Sequence, residues 1–369
     1  MGIHASKCVA IESVEARAYR VPTERRPESD GTIEWDSTTM VLVEISAGDQ
    51  TGLGYSYCHR AAATLIADTL AVLVRGADAM QVGRQWQRMV DAVRNIGRQG
   101  VAACAISAVD VALWDLKAKL VGLPLVTLLD ACRREVPVYG SGGFTSYSQD
   151  ELTEQLGAWV DEGISRVKMK VGRRPGVDPE RVEVARQAIG DSAELFVDAN
   201  GAYSRKQALK MAHAFADLGV SWFEEPVSSD NLPGLRLLRD QGPPGVEITA
   251  GEYGYDPWYF RRMLDAGAVD VLQADATRCL GITGFLHAAS LSHGHNLEIS
   301  AHTAPTIHAP ACCAASNARH LEWFVDHVRI EKMFFDGALT PQNGRLEADL
   351  SRPGLGVEFK RRDAEDYII

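Results

Sequence analysis

"ELFVDANGAYSRKQALKMAHAFADLGVSWFEEPV" (residues 194–227) decides the fold class, because it contains a short apolar strand, a helical segment and a second apolar strand. Strands and helices that alternate in this way are typical of parallel β/α units. The same alternation extends from about residue 134 to residue 325. Its eight apolar strands are VPVYGSGG, RVKMKVG, ELFVDAN, WFEEP, EITAGE, VDVLQAD, LEISAH and HLEWF. Repeated units of this kind favour a closed α/β barrel, and a doubly wound open sheet is the alternative.

The sequence on either side of this region has a different pattern. Residues 8–57 contain strands interrupted by a polar loop, and residues 61–129 have the apolar spacing of helices. Strands followed by segregated helices are typical of an α+β domain. The C-terminal sequence is too irregular for another β/α unit, so we expect it to pack back onto the first domain. The predicted domains are an α+β domain at 1–131, a barrel at 132–345 and a C-terminal segment at 346–369.

The composition is that of a globular protein, with 46% apolar and 24% charged residues in a chain of 369. A net charge of −11 and a pI near 5.4 argue against binding to nucleic acid or to an anionic membrane. Seven scattered cysteines without metal-binding spacing predict reduced, buried thiols. No secretory signal and no apolar run of membrane-spanning length is visible, so we expect a cytoplasmic protein without a membrane partner.

Three predicted strands in succession end in a carboxylate. Asp198, Glu224 and Glu252 follow one another at intervals of 26 and 28 residues, about one β/α unit each. The carboxyl ends of barrel strands meet at one mouth, so these side chains should lie together. Clustered carboxylates repel one another unless a cation lies among them. Three hard oxygen ligands suit Mg²⁺ better than zinc, and the sequence therefore predicts a magnesium site.

Two acids stand side by side at the end of the WFEEP strand. Successive side chains in a strand point to opposite faces, so only one of the two can reach the mouth. We predict that Glu224 faces inward as the metal ligand. Glu225 is then expected in the barrel wall, paired with a neighbouring base.

Ionisable residues on other strands supply candidate acids and bases. Lys168 and Lys170 are two residues apart and share one strand face, so we expect each ammonium to lower the other's pKa. His302 ends the seventh strand, and Asp275, which ends the sixth, can fix its tautomer. A base on each side of a metal-bound carboxylate can remove a weakly acidic α-proton, while Mg²⁺ and Lys168 stabilise the resulting enediolate.

In these motifs the sequence resembles the enolase superfamily, specifically its mandelate racemase subgroup, over nearly the whole chain. The resemblance implies a (β/α)7β TIM-like barrel with an N-terminal α+β capping domain. It implies that Lys170 and His302 act on opposite faces of the substrate and that Asp275 orients His302. It also places Lys168 and Glu322 at the substrate carboxylate, and Asn200 near the metal. A symmetric homo-oligomer built from dimers, for example an octamer, is implied as well.

The capping loops would choose the substrate in such a protein. The loop from residue 21 to residue 39 and the turn at residues 54–60 are expected to cover the mouth. The side chains predicted to contact substrate are Trp35, Tyr57, His59 and Arg60, with Arg25, Arg26, Glu28 and Asp30 as further polar candidates. Charged and hydroxyl-binding groups of this kind suit a polyhydroxy or diacid substrate better than an apolar aryl group.

The sequence departs from the subgroup's pattern after the sixth strand. Leu280 stands where a glycine is usual, and Arg278 stands where many relatives have a lysine. The missing lysine counts against the cycloisomerase and dipeptide-epimerase activities of the family.

The resemblance leaves the overall reaction open between several activities of one small carboxylate substrate. We expect dehydration of an acid sugar, an aldonate or aldarate, to a 2-keto-3-deoxy acid. A racemase or epimerase of a 2-hydroxy acid is the alternative within the family. A catalytically silent ligand-binding relative is an alternative of a different class.

Overall fold

The structure is a computed structural model that describes residues 8–24 and 27–369. Its first part contains an antiparallel sheet of β1 (Ser13–Pro22), β4 (Ser37–Ala47) and β5 (Gln50–Tyr57), in the order β1–β4–β5. Between β1 and β4 lies a small hairpin of β2 (Glu28–Ser29) and β3 (Glu34–Trp35). The helices are α1 (Ala61–Leu65), a π-helical turn (Ile66–Leu70), α2 (Ala71–Val74), α3 (Val82–Ala92), α4 (Val101–Leu120) and α5 (Leu125–Leu128). We call this part the capping domain.

Helix α4 packs directly on the sheet because glycines of β5 allow close approach. A Cβ atom at Gly52 or Gly54 would lie 2.2 Å from the carbonyl oxygen of Ala112 or Ala108, respectively. Asp115 of α4 accepts a hydrogen bond of 2.7 Å from the backbone N–H of Leu53. The capping domain therefore has its own core of sheet against helix.

Eight parallel strands form the second part of the chain. They are β6 (Glu135–Gly142), β7 (Arg166–Lys170), β8 (Glu194–Asp198), β9 (Val220–Glu224), β10 (Glu247–Ala250), β11 (Val271–Ala274), β12 (Ile299–Ala301) and β13 (Ala318–Phe324). Neighbours in the chain pair in parallel, and β13 also pairs with β6, with Leu321 opposite Val138. This last pairing closes the sheet, so the barrel prediction is confirmed and the open sheet is excluded.

A helix follows each of these strands. The helices are α6 (Gln149–Asp161), α7 (Asp178–Ile189), α8 (Arg205–Asp217), α9 (Leu232–Gln241), α10 (Pro257–Asp265), α11 (Gly281–Gly294), α12 (Pro305–Ala314) and α13 (Val325–Phe334). Capping boxes at Ser148 and Ser204 begin α6 and α8 by satisfying backbone N–H groups. The apolar faces of the helices form one large core against the outer face of the barrel.

Aromatic side chains fill the inside of the barrel below the mouth. Tyr139, Phe196 and Trp222 form a cluster with Val271, and the rings of Phe196 and Trp222 stack at 5.2 Å between centroids. Trp222 Nε1 donates to Glu224 Oε2 at 3.2 Å, as expected for side chains two residues apart on one strand face. The barrel interior is therefore packed, and Glu224 lies directly above its aromatic layer.

The C-terminal residues contact both parts of the molecule. Their elements are β14 (Phe335–Asp336), β15 (Arg345–Glu347), β16 (Glu358–Phe359), α14 (Arg361–Ala364) and a 3₁₀ turn (Glu365–Tyr367). Strand β15 pairs antiparallel with β6 of the barrel. The N–H of Ile369 donates to the carbonyl of Ala18 in the capping domain. In the described ranges, no helix combines the length and apolar character needed to cross a membrane.

Candidate active site

Three carboxylates come together at the mouth of the barrel. Asp198 and Glu224 are the last residues of β8 and β9, and Glu252 lies two residues beyond β10. One oxygen from each side chain lies within 4.8 Å of the others. Asp198 and Glu224 are fully buried, and Glu252 is 3% exposed. The three oxygens are close enough for one ion to contact them all. We call this cluster the carboxylate triad.

Glu252 joins the triad through a turn that depends on Gly251. This glycine has a φ of +137°, and a Cβ atom there would lie 2.0 Å from the carbonyl oxygen of Gln273. Any other residue would therefore displace the backbone. Five non-glycine residues beyond the strand ends also have positive φ: Asn200, Glu225, Leu280, Thr303 and Ala304. Strained backbone of this kind is concentrated at functional sites.

The triad fits a divalent cation such as Mg²⁺, because all of its donors are hard carboxylate oxygens. Burial and the neighbouring Asp198 raise the pKa of Glu224 to about 7, since an ionised carboxylate is costly beside another one. Within the described residues, Glu224 Oε1 is buried without a hydrogen-bond partner. A cation held by Asp198, Glu224 and Glu252 would satisfy this oxygen and offset the repulsion.

Lys168 and Lys170 contact the triad from strand β7. Lys168 Nζ lies 2.6 Å from Glu224 Oε2 and 2.8 Å from Glu322 Oε1. Lys170 Nζ lies 2.5 Å from Asp198 Oδ2. Burial lowers the pKa of each lysine, but the surrounding carboxylates outweigh it and hold both pKa values above the usual range. The expectation that the ammonium pair has lowered pKa values is therefore wrong, because neighbouring acids dominate over the other lysine.

His302 lies just beyond β12, between two carboxylates. Its Nδ1 donates to Asp275 Oδ2 at 2.8 Å, and its Nε2 lies 2.7 Å from Glu252 Oε2. Burial lowers the pKa of His302, but Glu252, Glu322 and the bond to Asp275 raise it to about 10. The Asp275 contact fixes the ring so that Nε2 faces the triad.

Glu225 does not occupy the position that strand alternation predicts. Strand β9 ends at Glu224, and Glu225 has a φ of +38°. Burial, Glu252 and Asp198 raise its pKa well above the usual range. Among the described residues it makes no ion pair with a base, and its Oε1 has no partner. The prediction of a base-paired residue in the barrel wall is therefore wrong, because the chain leaves the strand one residue earlier.

Two other predicted residues also lie at the mouth. Glu322 of β13 accepts from the N–H of Thr303 at 3.1 Å and pairs with Lys168. Although burial raises the pKa of Glu322, Lys168 and His302 bring it to about 2. The N–H of Asn200 donates to Asp198 Oδ1 at 2.9 Å. Asn200 Oδ1 is buried, and no partner for it lies in the described part of the chain.

A cavity of about 400 Å³ lies between the capping domain and the mouth. The predicted site residues that line it are Lys170, Asn200, Glu252, His302 and Glu322 from the barrel, and Trp35, Tyr57 and His59 from the capping domain. Lys168, Asp198 and Glu224 are fully buried below this surface. The Tyr57 ring stacks on His327 with 3.4 Å between centroids, which joins the capping domain to the barrel.

The structure does not bring every predicted capping residue to this cavity. Arg60 is exposed at the N-cap of α1 and is not part of the cavity lining. Arg25 and Arg26 lie outside the described residues. Asp30 lines the cavity, whereas Glu28 does not line it and contacts the lining residues Asp326 and Trp35.

Several lining residues were not predicted as site residues from the sequence. Arg278 Nη1 donates to the carbonyl oxygen of Glu252 at 3.2 Å, and Arg278 Nε lies 3.6 Å from Asp275 Oδ2. The sequence signal that could have identified Arg278 as a site residue is its position three residues after Asp275, a predicted strand-end residue. Tyr253, Asp326 and His327 also line the cavity. Each lies one to five residues beyond a predicted strand-end residue, Glu252 or Glu322, in a segment whose direction the sequence does not give.

The fold and the site together define an enolase-like barrel, and a family model described as enolase C-terminal domain-like matches residues 151–364. The chain belongs to the mandelate racemase / muconate lactonizing enzyme family, whose N-terminal domain model matches residues 13–130. The resemblance inferred from the motifs is thereby confirmed.

Three relatives illustrate the range of this family. A 3,6-anhydro-alpha-L-galactonate cycloisomerase of Streptomyces coelicolor is 35% identical, over 95% of this chain and 98% of its own. The L-talarate/galactarate dehydratase of Salmonella typhimurium is 32% identical, over 88% and 81%. A mutant of that dehydratase, solved with Mg and L-glucarate, has a TM-score of 0.91 over 100% of this chain and 94% of its own at 28% identity.

A third relative is more similar in sequence. The crystal structure of a mandelate racemase/muconate lactonizing enzyme-like protein from Rubrobacter xylanophilus is 55% identical. It has a TM-score of 0.95 and covers 98% of this chain and 100% of its own. Both parts of the chain are therefore represented in solved relatives.

Proposed function

We propose that this protein is a Mg²⁺-dependent hydro-lyase that removes the proton α to the carboxylate of an acid sugar and forms a 2-keto-3-deoxy acid. One observation carries the proposal: Lys170 and His302, from different strands, both line the cavity and contact the carboxylate triad. Two proton-transfer groups converging on a metal-binding cluster suit abstraction of a weakly acidic α-proton. The dehydratase among the relatives supports the same reaction class.

Each side chain has a separate task in this reaction. Lys170 Nζ or His302 Nε2 accepts the α-proton, depending on the configuration of the sugar acid; a cation on the triad would offset the carboxylate charge that raises the pKa values of both groups. Lys168, paired with Glu322, supplies positive charge beside the carboxylate as negative charge develops on it. His302 Nε2 then delivers a proton to the departing β-hydroxyl, and Asp275 keeps the imidazole oriented. Mg²⁺ bound by Asp198, Glu224 and Glu252 would supply Lewis-acid stabilisation of the carboxylate.

A screen of aldonic and aldaric acids tests this proposal. The protein is incubated with each acid and Mg²⁺, and carbonyl derivatisation detects a keto-acid product. We expect product from at least one acid, its loss on chelation and its return when Mg²⁺ is restored. Full activity in the metal-free protein would contradict the metal assignment, and no product from either series would contradict the dehydration.

Cycloisomerisation of a sugar acid is a second candidate, favoured by the 35% identity to a relative of that name. Arg278 in place of the usual lysine weighs against a cycloisomerase, whereas the relative of that name favours one. A cycloisomerase rearranges bonds without loss of water, so the mass of the product distinguishes the two reactions.

We also propose a cytoplasmic protein that assembles as a dimer-based homo-oligomer and binds neither nucleic acid nor membrane. The proposed domains remain residues 1–131, 132–345 and 346–369. The net charge of −11 supports the absence of a nucleic-acid partner. Native mass spectrometry should give an even number of protomers, and a monomer at micromolar concentration would contradict this assembly.

A further inference from the structure

The side of the active-site cavity nearest the capping domain is acidic. Asp30 and Asp326 line it together with the hydroxyl groups of Ser37 and Thr38. Asp326 lies in the first turn of α13, four residues after Glu322. The rise per residue of a strand and then of a helix puts the backbone of Asp326 roughly 10 Å from that of Glu322, measured along the chain. We call Asp30 and Asp326 the acidic wall.

Asp326 is held in place from several directions. Thr38 Oγ1 donates to Asp326 Oδ2 at 3.3 Å, and Arg329 Nη2 lies 3.7 Å from Oδ1. Glu28 of the β2–β3 hairpin forms a side-chain hydrogen bond with Asp326, and Trp35 hydrogen-bonds to Glu28. Glu28 and Asp326 are 5% and 2% exposed. A carboxyl group this deeply buried is rarely retained without a partner or a function.

The hydrogen bond between two acids requires a proton between them. Burial and Asp326 raise the pKa of Glu28 to about 9, so near neutral pH Glu28 carries the proton and donates it to Asp326. Asp326 is then the acceptor of this hydrogen bond, with Arg329 beside it. Toward the cavity, Asp326 therefore offers hydrogen-bond acceptors.

The cationic side chains that line the cavity lie at the barrel-mouth end, whereas Arg329, beside Asp326, does not line it. Among the described residues, the lysine and arginine that line it are Lys170 and Arg278, which contact Asp198 and Asp275. A ligand carboxylate is attracted to that end. At the acidic wall a second carboxylate would meet like charge, whereas a hydroxyl group would donate to Asp326.

We propose that Asp326, positioned by Glu28, determines specificity by binding a hydroxyl group at the far end of the substrate, so that the protein prefers monocarboxylic sugar acids over dicarboxylic ones. This inference rests on the proposed function and narrows its substrate class to aldonates. It differs from what the name of the Salmonella typhimurium relative implies, since galactarate is a diacid.

The test compares aldonic and aldaric acids that have the same configuration at their shared stereocentres. The ratio of kcat/KM for aldonate over aldarate should be at least about tenfold in the wild type, since like charges disfavour the diacid. Asp326→Asn should lower this ratio about tenfold. Asp36→Asn, on an exposed residue of the same capping segment, is the matched control and should leave the ratio unchanged.

The Glu28→Gln variant removes the carboxyl group of Glu28 but keeps a hydrogen-bond donor that can position Asp326. The amide still donates toward Asp326, so we expect the ratio to stay within about threefold of wild type. Calorimetric Kd values for the same acids with Mg²⁺ give the preference independently of turnover. If neither acid is converted, the proposed dehydration fails, while the Kd ratio still tests the acidic wall. A wild type that prefers the aldarate in both measurements, or an Asp326→Asn ratio equal to wild type, would overturn the inference.

Discussion

At the scale of single residues, the site is a balance of buried opposite charges. Lys168, Lys170 and His302 each contact a carboxylate at 2.5–2.7 Å. Buried charges of this kind are tolerated only when they are paired, so removing one partner leaves another uncompensated. Variants must therefore be checked for folding before a loss of activity is assigned to chemistry.

Variants of the two proton-transfer groups should both lose turnover but should differ in the α-proton exchange that remains. Lys170→Ala and His302→Asn should each lower kcat at least about a thousandfold, because each removes one required proton transfer. One of the variants should still exchange the α-proton of a bound acid with solvent deuterium through the remaining base. Proton NMR in D₂O measures this exchange. Lys206→Ala and His295→Asn, on exposed residues, are the controls, and unchanged turnover in both site variants would contradict the two-base assignment.

The adjacent acids of β9 should differ in metal binding. Glu224→Gln should weaken Mg²⁺ affinity at least about a hundredfold, since it removes one of three charged ligands from the triad. Glu225→Gln should change it only a few-fold, because Glu225 lies outside the triad. Isothermal titration with Mg²⁺ compares the two variants, and equal losses would show that the ligand has been assigned to the wrong acid.

At the scale of elements, the sequence predicted the barrel well and its connections poorly. All eight predicted strands are present, because period and composition mark buried strands. The position of Glu225 was missed, since alternation holds only inside a strand and β9 ends at Glu224. Asp326 and Arg278 were missed as site residues because loop direction depends on backbone dihedrals that sequence patterns do not encode. Leu280, noted as a departure from the glycine pattern, has a φ of +73° and is buried in the core of the capping domain.

One buried carboxyl group links three elements across the two parts of the chain. Glu331 of α13 accepts hydrogen bonds of 2.6 Å from Tyr55 of β5 and from the hydroxyl of Thr306 in α12. Burial raises the pKa of Glu331 to about 7, above its value in an unfolded chain. The folded state therefore binds the proton more tightly than the unfolded state does. The associated stability is complete below about pH 4.3 and is lost as the pH rises through 7.

This linkage predicts a pH-dependent difference between wild type and Glu331→Gln. The stability of the wild type relative to the variant should fall between pH 5 and pH 8 by an amount on the order of 3 kcal/mol. Urea midpoints at several pH values measure it. Glu347→Gln, on an exposed residue, should show no such trend. A constant difference for Glu331→Gln would mean that this carboxyl group does not titrate in the window.

At the scale of the whole molecule, the capping domain completes the site that the barrel begins. The barrel supplies the triad and the proton-transfer groups, and the capping domain supplies Trp35, Tyr57 and His59 to the cavity. Family motifs made the barrel end predictable, because each motif lies at a strand terminus. The capping end was less predictable: Arg60 lies away from the cavity, whereas Tyr57 is held there by stacking on His327. The positions of Arg60 and Tyr57 relative to the cavity depend on how the capping domain packs against the barrel.

Proton NMR of an accepted acid sugar with Mg²⁺ in D₂O follows α-proton abstraction and dehydration in one experiment. Loss of the C2 proton signal should accompany formation of a 2-keto acid whose C3 methylene carries one deuterium. Asp198→Asn should abolish this product, because the triad loses a charged ligand. Inversion at C2 without loss of water, or the same product from the metal-free protein, would contradict metal-dependent dehydration by this site.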